Sequence, residues 1–147
     1  VYTIDADLTD EEAQRTALML SNPVFEEVRI NQSSKNRFNY AVEIGFLPGV
    51  TDNIGNTARE SLEDLLKKQL TGQAVFSSQI NFLSGSLSRE DAQRIGESLA
   101  NPLIQRISVT SYEEFQREGM KTIVPRVMIR ENPRADIVEI ISASDEE

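Results

Sequence analysis

The chain has 147 residues, 39 % of them hydrophobic, and a net charge of −9 from 15 basic and 24 acidic residues. It contains no Cys, His or Trp, which excludes disulfides, thiolate nucleophiles and zinc–thiolate centres and removes the commonest general base. The acidic balance argues against nucleic acid, which needs clustered Lys and Arg to displace counterions, and no apolar run approaches the roughly 20 residues of a membrane span.

The chain opens on Val1 rather than Met, so a piece of a longer protein is expected. No signal peptide is visible, and a cytoplasmic location follows as the default. Tyr2 and Ile4 alternate in a short opening strand. Thr9 is a candidate N-cap, and Glu12, three residues on, completes a capping box. Ala13, Thr16, Ala17 and Leu20 then recur at helical spacing. Asn22-Pro23 stops this helix, because Pro pushes the residue before it out of the helical conformation. Phe-Glu-Glu-Val-Arg-Ile (25–30) reads as a strand with Val28 and Ile30 on one side. Residues 31–37 are polar and aperiodic, a loop between antiparallel strands.

Tyr40, Val42, Ile44 and Phe46 alternate with Ala41, Glu43, Gly45 and Leu47, the clearest strand in the chain. Pro48-Gly49 turns it, and a helix is expected from about residue 53 to residue 70, with Ile54, Ala58, Leu62, Leu65, Leu66 and Leu70 inward. A strand over 75–83 places Phe76, Ile80 and Phe82 together. Ser88 and Asp91 form a second capping pair, the helix carries Ala92, Ile95 and Leu99, and Asn101-Pro102 stops it. Residues 103–110 read as a strand and 110–121 as an acidic connecting loop. Thr-Ile-Val-Pro-Arg-Val-Met-Ile (122–129) is the last expected strand. Pro125 cannot donate to a ladder, which places this strand at an edge or bulge. Residues 131–147 form an exit segment with an acidic end.

Glu11–Ile30 and Glu90–Val109 repeat the same helix-then-strand phrase at an offset of 79 residues (90 − 11) without a gap. From Leu8/Leu87 to Ile30/Val109, 8 of 23 positions are identical, Ala-Gln-Arg and Asn-Pro among them. Helix physics alone explains shared caps and stops, but a common Ala-Gln-Arg at the same phase points to duplication. The second copy is complete as strand, helix, strand, helix, strand, whereas the first begins at its second strand. A helix with so narrow an apolar stripe needs a sheet to lie on. The expected fold is therefore α+β and two-layered, with about six mostly antiparallel strands and three helices, and with a pseudo-twofold relating the repeats.

Leu47-Pro48-Gly49-Val50-Thr51-Asp52, the helix after it, and Leu99-Ala100-Asn101-Pro102 with its following strand resemble one family. They look like the small PurS subunit of phosphoribosylformylglycinamidine synthase, and more closely like the PurS-like N-terminal region fused to the synthetase part in some bacteria. The final Ser-Ala-Ser-Asp-Glu-Glu resembles the start of the linker into that synthetase. The resemblance implies three parts: residues 1–38 as the second half of a first PurS-like repeat, 39–112 as a complete second repeat, and 113–147 as a closing strand and exit segment. It implies a parent ligase of de novo purine biosynthesis that uses ATP and magnesium to pass glutamine nitrogen to formylglycinamide ribonucleotide. In that family the PurS-like part holds the glutaminase and synthetase centres in register, and no family catalytic residue maps onto this chain. The implied partners are synthetase and glutaminase domains or subunits, with a second copy of the chain as a further possibility. A paired α+β regulatory domain binding a small metabolite between its repeats is the alternative.

No catalytic, cofactor-binding or metal-ligating residue is assigned. Asp10, Glu11 and Glu12 sit in a first helical turn, where acids suit the macrodipole. Asp52, Asn53 and Gly55 have turn and N-cap chemistry, and Ser77 lacks a neighbouring base in sequence. The candidate partner interface is Leu47, Pro48, Gly49, Arg126, Met128 and Arg130. The last three belong to a strand face mixing apolar and charged residues. Ala41, Glu43, Gly45 and Leu47 are expected to lie on the same uncovered side of the sheet, which suits a non-obligate interface.

Overall fold

A computed structural model describes residues 1–32 and 37–127. It is α+β, with a single four-stranded sheet and four helices among the described residues. In chain order these are β1 (Tyr2–Asp5), α1 (Asp10–Met19), β2 (Tyr40–Phe46), α2 (Asn53–Leu66), β3 (Ala74–Leu83), α3 (Arg89–Leu99), β4 (Gln105–Ser111) and α4 (Tyr112–Glu118). The sheet order is β1-β3-β2-β4 and every neighbouring pair is antiparallel. The ten-residue β3 serves both sides: its first half pairs with β1 (Tyr2↔Ser77) and its second half with β2 (Tyr40↔Leu83).

Alternation along β2 sends Val42 and Ile44 to one face, where they pack against Ala92 of α3 with Ile107 and Val109 of β4. On the same face Val75 meets Ala58 and Leu62 of α2, and Ile4, Met19 and Leu20 close that cluster. Two glycines let helices approach. A Cβ on Gly96 would stand 2.9 Å from Val42 Cγ1, and one on Gly55 would stand 2.3 Å from the Val75 carbonyl oxygen. Both helices start as the sequence predicts, α1 with the Thr9/Glu12 capping box and α3 with the Ser88/Asp91 box. Helix α2 ends at Leu66, four residues short of the expectation, because Lys67 takes a left-handed conformation (φ 53°). Leu70 nonetheless remains buried, and Ile54, expected inward, is exposed.

Four expectations are corrected. Residues 25–30 form no strand: a turn over 23–25 leads into chain without regular structure and without a ladder partner among the described residues. Of the strand expected over 122–129, residues 122–127 form none and 128–129 lie outside the described residues, so the described residues hold four strands where about six were expected. The expected acidic loop folds instead as α4, started by a third capping box between Ser111 and Glu114. Finally, the face of β2 expected to lie open is covered. Ala41 is fully buried and Glu43 is 7 % exposed, because Phe38 and Phe115 of α4 pack on Ala41, joined by Tyr112, Ile80 and Met120. Phe38 lies 5.0, 5.3 and 5.2 Å from the rings of Phe82, Tyr112 and Phe115. At this point the sheet therefore has helices on both faces, and the arrangement is not simply two-layered.

Among the described residues no helix is long and apolar enough to cross a membrane.

Candidate interface site

The turn after β2 is held by main-chain bonds. Leu47 N–H donates to the Ile104 carbonyl at 2.9 Å, and Val50 N–H to the Leu47 carbonyl at 3.1 Å. Gly49 takes φ 84°, a conformation that favours glycine. Asp52 then caps α2. One carboxylate oxygen accepts from Gly55 N–H at 2.7 Å and from the Ser77 hydroxyl at 2.8 Å, and the other accepts from Ser77 N–H. A single buried carboxylate thus fixes the turn, the start of α2 and the middle of β3. Three donors occupy it, so the Ser77 hydroxyl is held as a donor and is not activated by a free base.

Residues 123–127 cross beside this turn. Arg126 N–H bonds the Val124 carbonyl at 2.9 Å, a tight three-residue turn, and the Arg126 guanidinium pairs with Asp5. A Cβ on Gly49 would lie 3.4 Å from Val127 Cγ2. Leu47, Gly49, Ile123 and Pro125 therefore wall a cleft of about 240 Å³, floored by Phe76, Ser78 and Arg106. Arg106 reaches across Gly45 and donates from Nη2 to Glu43 Oε1 at 3.0 Å. Among the described residues its Nε and Nη1 are buried without a hydrogen-bond partner.

Of the predicted interface residues, Leu47 and Gly49 line the cleft together with Ile123 and Pro125, Pro48 stands exposed beside them, and Arg126 is exposed while paired with Asp5. Met128 and Arg130 lie outside the described residues. The Glu43–Arg106 pair was missed in the sequence because its partners are 63 residues apart. The pair of Arg89 with Glu114 was missed for the same reason. Arg89 Nη1 donates to both Glu114 carboxylate oxygens, at 3.0 and 2.9 Å, and Nη2 donates to the Val109 carbonyl at 2.8 Å. The α4 helix had a readable signal, Ser111-x-x-Glu114 with Tyr112 and Phe115 on one face.

Two partly buried carboxylates are held well below the usual range. Glu12 is lowered to about 2 by the Lys68 ammonium and the Thr9 main-chain N–H, and Glu114 to about 2 by the Ser111 N–H and Arg89. Asp91 is lowered by the Ser88 N–H and hydroxyl. Each is the acidic member of a capping box, so the shifts belong to helix starts. Among the described residues no three His, Cys, Asp or Glu side chains are grouped to hold a metal ion.

The helix ends carry a closer correspondence. Asn22 Oδ1 accepts from Val24 N–H at 3.1 Å, and its carbonyl accepts from Phe25 and Glu26 N–H at 3.1 and 2.8 Å. Asn101 Oδ1 accepts from Leu103 N–H at 3.1 Å, and its carbonyl accepts from Ile104 and Gln105 N–H at 3.1 and 2.8 Å. The main-chain N–H of Asn22 donates to Glu26 Oε2 at 2.6 Å, and that of Asn101 to Gln105 Oε1 at 2.7 Å. The starts correspond as well: Thr9 and Ser88 accept from Glu12 and Asp91 N–H at 3.3 and 3.1 Å.

Compared with family models, curated proteins and solved structures, the chain matches none.

Proposed function

We propose that this chain is a non-catalytic assembly domain of the PurS-like kind, built from two related units. In this reading it helps couple the glutaminase and synthetase centres of a phosphoribosylformylglycinamidine synthase, which supplies the ATP and magnesium chemistry of purine biosynthesis. The observation that carries the proposal is the hydrogen-bond correspondence around Asn22 and Asn101, at the same 79-residue offset (101 − 22) as the sequence repeat. That match extends from the capping boxes to the first residue after each Asn-Pro turn, which favours common descent over independent helix stops.

Strand pairing supports a local twofold. At that offset Tyr2 of β1 corresponds to Asn81 of β3 (2 + 79), and β1 and β3 pair antiparallel. Antiparallel pairing of equivalent strands is what a twofold between two units produces. The residue inventory favours a structural role, since the chain has no Cys or His to attack glutamine. Leu47, Pro48 and Gly49 beside exposed Arg126 form the surface assigned to the partner domain.

A second reading has one observation in its favour. The cleft lined in part by Arg106, whose Nε and Nη1 have no hydrogen-bond partner among the described residues, suits a regulatory domain that binds a small anionic metabolite. Calorimetry with amino acids and nucleotides separates the two. The assembly reading expects no heat of binding from either class, and a saturable heat lost in Arg106→Gln would favour the regulatory one.

A further inference from the structure

Among the described residues β4 forms one edge of the sheet and β1 the other, and at seven residues against four β4 is the longer. A long edge strand is a template for another strand. The register assigns its groups. Leu47 N–H bonds the Ile104 carbonyl and Tyr112 N–H the Asn39 carbonyl, and the pairing between them is unbroken from Phe46↔Gln105 to Tyr40↔Ser111. Arg106, Ser108 and Thr110 therefore turn N–H and carbonyl to β2, and Ile107, Val109 and Ser111 turn theirs outward.

Two of these outward groups are taken, and both by one ion pair. Arg89 Nη2 donates to the Val109 carbonyl at 2.8 Å, and Glu114 Oε2 accepts from Ser111 N–H at 2.7 Å. Arg89 Nη1 joins the halves by donating to both Glu114 oxygens. The guanidinium stands in for the N–H of a neighbouring strand, and the carboxylate for its carbonyl. The two side chains are 53 % and 33 % exposed, and an ion pair so open to water adds little stability. What sets it apart is its position across the edge.

We propose that the Arg89–Glu114 pair is a guard that keeps the outer edge of β4 from pairing with β4 of a second copy. The second copy is the occupant that the geometry fits. β2 and β3 are interior, so among the described strands only β1 and β4 have an edge to offer. About a twofold at Val109, β4 meets itself antiparallel. Val109 then bonds Val109 of the second copy in both directions, and Ile107 bonds Ser111 likewise. The opposed side chains are Val109 with Val109, Ile107 with Ser111 and Ser108 with Thr110, so no charge faces a like charge. Of these main-chain bonds, only that from Ile107 N–H to the Ser111 carbonyl avoids an atom that Arg89 or Glu114 holds. The guard is independent of the assembly role.

Sedimentation and NMR amide exchange of the full chain, over a range of concentrations, test it. In the wild-type chain the amides of Ile107 and Val109 should exchange fast at every concentration. Arg89→Ala frees the Val109 carbonyl and leaves the Ser88 and Ser111 caps in place, so the fold should survive. Its self-association should be at least about tenfold tighter than that of the wild type, because the Val109 bonds can then form. Ile107 and Val109 should gain protection as concentration rises, while Ser108, already bonded to β2, should not. Adding Glu114→Ala releases Ser111 N–H as well and should tighten the dimer further. Circular dichroism checks both variants, and Arg89→Ala alone decides if the double variant is unfolded.

Two results would overturn the proposal. A folded Arg89→Ala chain without concentration-dependent protection at Ile107 and Val109 would mean that the pair guards nothing, whether or not the chain associates through another surface. Slow exchange of the same amides in the dilute wild-type chain would mean that the chain itself already covers the edge.

Discussion

Asn22 and Asn101 make the same set of hydrogen bonds, each closing a helix and launching the chain that follows, but what they launch differs. Asn101 starts β4, a paired strand, and Asn22 starts a segment with no ladder among the described residues. Loss of the side-chain bond should therefore cost more at Asn101. We expect Asn101→Ala to lower the unfolding free energy by about 1–2 kcal/mol and Asn22→Ala by less than about 0.5 kcal/mol. Urea denaturation of both variants checks the order, and a reversed order would count against the assigned roles.

Glu12 and Glu114 give the acid response of the fold. Both have an ordinary value of 4.5 and are held at about 2 in the folded chain. A depressed carboxylate contributes stability that is present above its unfolded value and lost as pH falls through the folded one. The urea midpoint should stay level above about pH 5 and fall progressively through the window from 4.5 to about 2. Glu114→Gln should show a lower midpoint at neutral pH and a shallower acid fall. An unchanged acid slope in that variant would remove Glu114 from the account.

Glu43 and Arg106 are a largely buried ion pair, with side chains 9 % and 17 % exposed. Removing one partner strands the other charge in a largely buried site beside Gly45. Glu43→Gln should destabilise the chain by about 3 kcal/mol, and Glu43→Met with Arg106→Leu should recover much of that loss. Thermal melts of the single and double variants test this. A double variant as unstable as the single would mean that shape, not the unpaired charge, sets the cost.

Arg126 is the residue on which folding and assembly should separate. Its pair with Asp5 is largely solvent-exposed, so Arg126→Glu should change stability by less than about 1 kcal/mol. Under the proposed function it should weaken capture of the synthetase partner. A folded Arg126→Glu chain that binds the partner as tightly as the original would take this surface out of the interface.

Much of this fold was legible in the residues themselves. Thr9-x-x-Glu12 and Ser88-x-x-Asp91 mark helix starts by chemistry that acts over three residues, and Asn-Pro marks the stops. The alternation in 40–46 fixed β2 as a strand. Whether 25–30 or 122–127 becomes a strand was not legible, because a ladder needs a neighbour and periodicity reports only one chain. The same limit hid that both faces of β2 are covered. Ala41, Glu43 and Gly45 look like a mixed surface until α4 and Arg106 are laid over them. Reading Ser111-x-x-Glu114 as a cap would have supplied α4 and, with Phe115, the cover for Ala41. The ion pairs Glu43–Arg106 and Arg89–Glu114 depend on strand register and helix placement, which no local pattern encodes.

The assembly role is tested most directly by adding residues 1–147 to a phosphoribosylformylglycinamidine synthase that lacks its PurS-like part. Amidation is then measured with glutamine and, separately, with ammonia as nitrogen donor. The account predicts that the added chain restores glutamine-supported synthesis several-fold and leaves ammonia-supported synthesis unchanged, because it couples two centres and performs neither reaction. Binding without any gain in glutamine-supported synthesis, or an equal gain with both donors, would contradict it.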